Sequence, residues 1–318
     1  GQDNVVVEGF HISHYFGDHD EWYSGTAIIN FERPIRNVVI RDNVIDNLRT
    51  VEGIGAIQLH KAENAIVEKN VIVNSQKSSG ILYGYTTNCI IRDNVIRKIG
   101  RTGIRLIETE NIQISGNHLS DILGVHGNGI SVYLKNRNIL IADNILENVP
   151  FAFTYHGTGN VEEANNMWLL NNVFMGRVRS WGSAFDKVYF LHNLAYAEVE
   201  PAKAIHIPGE EPRTTLKNNI IDGLIVAPPP SDWALESNLY TSLAWVQSSK
   251  YDWVMEPGGK TAENILPQIA GFAKKRPALR LPLGANIYSL LPVEMFPAYD
   301  FSHWRDARPV GPAFVQPR

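Results

Sequence analysis

Cysteine is all but absent from this sequence: one residue, Cys89, among 318. An intrachain disulfide and a multi-cysteine metal centre are thereby excluded. Long apolar runs are missing as well, since none approaches the roughly 20 residues of a membrane-spanning helix. The opening GQDNVVVEG lacks the basic-then-apolar order of a secretory leader. A leader cleaved on export would leave no mark there, so composition keeps the compartment open. Neither sign of charge dominates: 29 Lys and Arg are interspersed with 33 Asp and Glu, for a net charge of −4. That leaves no basic stripe for nucleic acid and no polybasic or amphipathic membrane anchor. What the chain does have is a 44% hydrophobic composition, enough for a substantial core in one large domain or two ordinary ones.

The apolar residues come in a recurring frame. NVVIRDNVI (37–45), NAIVEKNVI (64–72), NCIIRDNVI (88–96), NIQISGNHL (111–119), NILIADNIL (138–146) and NMWLLNNVF (166–174) share one template. It reads Asn, three mostly apolar residues, two turn-like residues, Asn, then an apolar pair. KVYFLHNLA (187–195) and RTTLKNNII (213–221) fit more loosely, and NVVVEGFHI (4–12) fits with Phe10 in place of the second asparagine. That asparagine falls at 43, 70, 94, 117, 144, 172, 193 and 219, so the steps by subtraction are 27, 24, 23, 27, 28, 21 and 26. The unit is a solenoid repeat with a variable loop.

Each repeat carries a further short strand after glycine or alanine: AIQLH (56–60), GILYG (80–84), GIRLI (103–107), GISVY (129–133), AFTYH (152–156) and AIHIP (204–208). Both kinds of run are rich in Val, Ile and Leu, and no segment has helical period. The leucine frame of leucine-rich repeats is absent. Two or three short strands per turn predict an all-β parallel β-helix of about nine coils, a rod on the order of 40 Å at ~4.8 Å per coil. Asparagines stacked in a tight turn would satisfy backbone groups that the bend leaves unpaired, forming a structural ladder. Cys89 shares its template position with Val38, Ala65, Ile112 and Ile139, which places it in the core. Beyond the proline-rich GLIVAPPPSDW (223–233) no clean copy follows. The expected division is a solenoid over 1–222 and an irregular Pro- and Trp-containing tail over 223–318 that packs on or caps it. The first coil begins within four residues, so a missing N-terminal segment or a partner chain is expected to cover it.

The repeats over residues 4–222 resemble the right-handed parallel β-helix superfamily, pectate lyase-like and built of PbH1 repeats. It includes pectate lyases, polygalacturonases, alginate lyases and epimerases, and phage tail-spike depolymerases. The resemblance implies an exported protein (secreted, periplasmic or on the cell surface) whose partner is a polysaccharide or oligosaccharide, and the charge pattern predicts no nucleic acid or membrane partner. It also implies that the Gly-Ile strands line the saccharide groove. HGNGISV (126–132) is similar to the Gly-His-Gly-Ile-Ser-Ile motif of polygalacturonases, with one residue inserted. The acidic pairs of that family, the calcium-binding aspartate clusters of pectate lyases and the Asp-Pro-His motif of alginate epimerases have no counterpart. YGYTT (83–87) stands near where the last would be, and Asp300 through Arg308 and Pro309 are faintly similar to the closing segment of secreted β-helix carbohydrate enzymes.

Strand alternation turns Ile130, Val132 and Leu134 inward and Ser131, Tyr133 and Lys135 outward. Aligned on glycine or alanine, neighbouring coils add Gln58 and His60, Leu82 and Gly84, Arg105 and Ile107, Thr154 and His156, then Asp186 and His206. Arg105, Tyr133, Lys135 and His156 are expected to cluster, with His126 at the rim. The same residues have plainer readings: His126 caps a turn, Tyr133 and Arg105 stack as a surface pair, Lys135 is a solvated edge lysine. As a cluster they suit removal of the proton beside a carboxylate, where a cation neutralises the carboxylate and Tyr, His or Lys exchanges the proton. That chemistry predicts a polysaccharide lyase or C5-epimerase acting on a uronic-acid-containing polysaccharide. A glycoside hydrolase, which needs two flanking carboxyls, would draw on Glu108, Glu110 or Asp186. The remaining reading is a non-catalytic glycan-binding or surface module. Tyr83, Tyr155, Trp181 and Trp22 are candidates to stack on sugars. The loop holding Asp18, His19, Asp20 and Glu21 offers oxygens and an imidazole to a divalent cation such as calcium.

Overall fold

Short Val- and Ile-rich runs separated by Asn, Asp and Gly form strands of two to six residues, each pairing parallel with its counterpart one repeat away. The computed structural model describes residues 2–14, 26–49, 54–124, 126–158, 160, 162–181, 185–197, 204–207, 213–226, 233–240, 257–261 and 286–305. They form a right-handed parallel β-helix. In one coil, Thr87–Arg92 joins the first sheet, Val95–Ile99 the second and Thr102–Ile107 the third. The three sheets hold 12, 11 and 9 described strands. Nine coils therefore describe the third sheet, while the other two run further, through Ala234–Glu236 and Lys260–Thr261.

Alternation along each strand builds continuous interior columns. On the third sheet, Ile57, Ile81, Ile104, Ile130, Phe153, Val178 and Ile205 stack in register. Beside them run Leu59, Tyr83, Leu106, Val132, Tyr155 and Ser180. Two expected groove residues are thereby corrected. Tyr83 and Tyr155 share the inward parity of Ile81 and Phe153, are 0% and 1% exposed, and fill the core rather than stack on sugar. The Tyr83 hydroxyl donates to the Ile90 carbonyl at 3.4 Å. Cys89 lies in the interior column Cys89, Ile112, Ile139, Met167, where burial pushes its thiol up to about 12.

Asp186 is also relocated. It opens Asp186–Leu191 on the first sheet, where it is buried and takes two hydrogen bonds from the Arg213 guanidinium, one of them 2.9 Å from Nε. The groove strand just before it, closing the preceding coil, is Arg177–Ser180, which has no Gly-Ile or Ala-Ile opening by which to recognise it.

The bend between the first two sheets carries the asparagines. Asn43, Asn70, Asn94, Asn117, Asn144, Asn172, Asn193 and Asn219 are buried and bonded coil to coil. From Asn70 onward, each Oδ1 accepts both the backbone N–H and the Nδ2–H of the preceding asparagine. Asn144, for example, accepts both from Asn117 at 3.0 Å. Each Nδ2 also donates to a main-chain carbonyl, as Asn144 does to Ile114 at 3.0 Å. A ninth member, Asn238, accepts from Asn219 at 2.9 Å and 3.0 Å. It sits 19 residues on, a step short enough to hide the copy in the sequence. The template's first asparagine forms a second, more exposed ladder: Asn138 Nδ2 donates to Asn111 Oδ1 at 2.8 Å and Asn166 to Asn138 at 3.0 Å. These residues take left-handed φ, 55° at Asn111 and 57° at Asn138, a region asparagine tolerates better than most side chains.

Residues 286–305 lie against the outer face of the first sheet. Ile287, Phe296, Tyr299, Phe301 and Trp304 pack on Leu140, Ala142, Trp168, Leu170 and Leu191 as a separate apolar cluster. Trp168 Nε1 donates to the Leu290 carbonyl at 2.9 Å, and the Tyr299 hydroxyl to Asp143 Oδ2 at 2.6 Å.

Candidate functional site

The third sheet turns two polar columns outward. One runs Gln58, Leu82, Arg105, Ser131, Thr154, Arg179, His206, and the other His60, Gly84, Ile107, Tyr133, His156. Register thus brings Arg105, Tyr133 and His156 onto three successive coils, within about 5 Å per coil step. The Tyr133 and His156 rings stack with centroids 5.2 Å apart and planes 19° from parallel. The Arg105 guanidinium carbon lies 5.7 Å from the Tyr133 ring centre. Burial lowers the Arg105 pKa, and Arg101 adds to the effect while Tyr133 opposes it. A guanidinium still holds its charge at neutral pH.

These three side chains line a cavity of about 530 Å³ together with Arg101, His126, Asn128, Ser131, Phe151 and Trp181. No aspartate or glutamate is among its described lining residues. His126 stands at the rim in a left-handed turn, φ 55°, its carbonyl accepting the Asn128 N–H at 2.7 Å. Trp181 is 47% exposed. Its ring covers the Arg179 guanidinium at 3.8 Å and tilts against Phe151 at 5.7 Å.

Lys135 does not join the cluster. The strand ends at Tyr133, Leu134 swings to φ 67°, and Lys135 pairs with Glu163 at 3.0 Å in the open. Glu163 accordingly holds the Lys135 pKa up. Leu134, expected inward, is only half-buried. Glu108 follows the end of its own strand and borders a separate cavity of about 450 Å³ with Glu110, Lys135, Arg137 and Glu163. Glu110 and Arg137 pair there at 2.7 Å.

Gln58 faces outward but is 2% exposed, its Oε1 accepting the Gly55 N–H at 3.1 Å and its Nε2 lying 3.3 Å from His60 Nε2. His60 is half-buried beside Phe31, centroids 4.4 Å apart. His206 holds its outward place next to Arg179. Asp18, His19, Asp20, Glu21 and Trp22 fall outside the described residues. Sequence reading missed Arg101 and Arg179. Arg101 sits in a turn whose direction only the fold sets, and Arg179 was recoverable from the alternation of RVRS (177–180) once that run is taken as a coil strand.

Charge neutralisation separates this groove from the first sheet. Along the first sheet, Arg36, Arg41, Arg92, Arg137 and Arg213 each meet a carboxylate. Arg105 and Arg179 have no carboxylate partner among the described residues. Each instead rests on an aromatic ring.

No curated protein matches the chain. Among solved structures, XylC in complex with xylose is similar over 65% of this chain and 42% of its own, with 15% identity and a TM-score of 0.51. A glycoside hydrolase is similar over 75% of this chain and 50% of its own, with 12% identity and a TM-score of 0.50. The chain thus spans half or less of these two proteins. A pectate lyase of Bacillus sp. N165, Bsp165PelA in complex with trigalacturonate, is similar over 84% of this chain and 92% of its own, with 14% identity and a TM-score of 0.43. The likeness is one of fold, and the β-helix neighbours include carbohydrate-active proteins.

The family model described as periplasmic copper-binding protein (NosD) matches residues 4–194. Copper calls for convergent imidazole, thiolate or thioether donors. Among the described residues no three His, Cys, Asp or Glu side chains gather to hold a metal ion, while Cys89 and Met167 are sealed in the core. The described residues therefore do not fit copper. The match nonetheless takes in more than half of the chain, with the repeat frame and the groove strands through Arg177–Ser180, and by it the chain belongs to the NosD family.

Proposed function

We propose that the groove binds a uronic-acid-containing polysaccharide and removes the C5 proton of one uronate, acting as a lyase or a C5-epimerase. The observation that carries this reading is Arg105: a half-buried guanidinium without a carboxylate partner, beside a stacked Tyr133 and His156, in a cavity with no described acidic lining. Neutralising the sugar carboxylate makes its neighbouring C–H acidic enough to lose a proton to a positioned base. Tyr133 and His156 are the two proton-exchanging groups within reach of one site, and His126 stands at its edge. In the lyase, the base takes the C5 proton, the C–H electron pair forms the C4–C5 double bond, and the C4–O bond breaks. The departing oxygen then receives a proton from the second group. In the epimerase, C5 regains a proton from the opposite face. An exported location, periplasmic or extracellular, suits such a polymer substrate.

The test is incubation with pectin, alginate, glycosaminoglycan and glucuronan while following the ultraviolet absorbance of the unsaturated uronate and, in deuterated water, exchange at C5. Tyr133→Phe and Arg105→Gln should each lower kcat by about 100-fold or more with the circular dichroism of the β-helix intact. New reducing ends without unsaturation or exchange would make the protein a hydrolase instead. Binding that weakens gradually across aromatic variants, with no turnover of any substrate, would make it a glycan-binding module.

A further inference from the structure

We propose that Arg179 and Trp181 form a second subsite for an acidic sugar, three coil steps along the groove from Arg105. The inference rests on the reading of the groove as a site for acidic glycans and adds where the second charge of the substrate is held. Arg105, Ser131, Thr154 and Arg179 occupy one outward column in direct register. Three steps place the two guanidinium-bearing residues about 14 Å apart along the rod. The residues between them, Ser131 and Thr154, are short hydroxyls, so the floor is level and carries no opposing charge.

Two observations mark Arg179 as a ligand group rather than a surface arginine. Its charge is left unneutralised among the described residues, whereas arginines on the first sheet are paired with acids. Its guanidinium also lies over the Trp181 ring at 3.8 Å, while its Nε, like those of Arg41 and Arg177, is buried without a hydrogen-bond partner. Stacking uses one face of a guanidinium and leaves the N–H edge, which is the part that grips a carboxylate in bidentate fashion. Trp181, 47% exposed and braced by Phe151, offers aromatic surface on which the C–H face of a sugar can rest. Ring for the sugar body and fork for its carboxylate together describe one uronate. The spacing from Arg105 means that only a chain long enough to reach both guanidinium groups gains from the second.

The experiment measures Kd by calorimetry and KM and kcat by turnover for uronate oligomers of increasing length, on the wild type, Arg179→Gln, Trp181→Ala and Arg105→Gln. Wild-type affinity should rise with length and then level off once the chain spans both sites. Arg179→Gln should raise Kd and KM roughly tenfold for the long oligomers, the loss of one charge-assisted contact, and by a much smaller factor for the disaccharide. Carboxyl-reduced oligomers should not distinguish Arg179→Gln from wild type. Arg179→Lys should recover part of the affinity, and Arg36→Gln, a variant of a paired surface arginine, should change neither length series. A penalty equal at every length, or no penalty at all, overturns the second subsite while leaving the groove assignment standing. Failure of the wild type to bind any uronate oligomer overturns both.

Discussion

His60 is a histidine kept neutral by its surroundings. It lies against Phe31 and 6.1 Å from the Tyr85 ring, and it covers Gly84 so closely that a Cβ there would meet its Cε1 at 2.8 Å. Burial first, then Lys61, lowers its pKa from 6.5 to about 4. Between those values the unfolded chain binds a proton that the folded chain refuses, so this contribution is complete above pH 6.5 and is lost as pH falls through 4. Urea unfolding across that range should show the wild-type midpoint dropping more steeply than that of His60→Gln. Whether a side chain faces in or out was legible from strand parity for Cys89, Arg105, Tyr133 and His156. It failed for Lys135 because a left-handed residue, Leu134, interrupts the alternation, and for Asp186 because the wrong run was taken as the coil's groove strand. Tyr83 and Tyr155 carried the parity of core residues, and aromatic type alone had suggested a role that their position excludes.

At the scale of the element, the asparagine bend links one coil to the next. Asn144 donates to the Ile114 and Ala142 carbonyls and to Asn172, and accepts twice from Asn117. Asn144→Ala would leave several of these groups buried and unpaired, at about 1–3 kcal/mol for each group left without a partner. Asn111→Ala, on the more exposed ladder, should cost about 1–2 kcal/mol, chiefly because alanine tolerates the left-handed φ of 55° less well than asparagine, since water replaces the lost partner. Chemical denaturation of the two variants measures the difference directly. The ladder was readable because the same residue recurs at a spacing that varies only with loop length. Asn238 escaped because its step of 19 residues falls short of the others, although Trp233, Ala234, Leu235, Leu239 and Tyr240 keep the apolar frame.

Across the whole molecule the sheets divide their tasks. The first is sheathed between Leu140 and Leu191 by residues 286–305, and the third carries the groove proposed for the glycan. Tyr299 is buried in the sheath, and its hydroxyl stays protonated because burial and the Asp143 carboxylate both raise its pKa. Tyr299→Phe removes that bond and should lower stability by about 1–3 kcal/mol. Since it touches a different sheet from the groove, glycan turnover per folded molecule should not change, which a denaturation curve and an activity assay on one sample would show. This packing could not be read from the tail's sequence, because tryptophan and proline announce burial and bends without saying against which face.

The ladder also has a direction, since every Oδ1 receives from the coil before it. At the first coil the template position is Phe10, whose N–H still donates to Asn43 Oδ1 at 3.0 Å but whose side chain has no oxygen to receive another donor. In the vocabulary of polymers, Phe10 is a chain stopper: the stack can lengthen its amide array from the far end, and whatever meets the near end must hold on by other means.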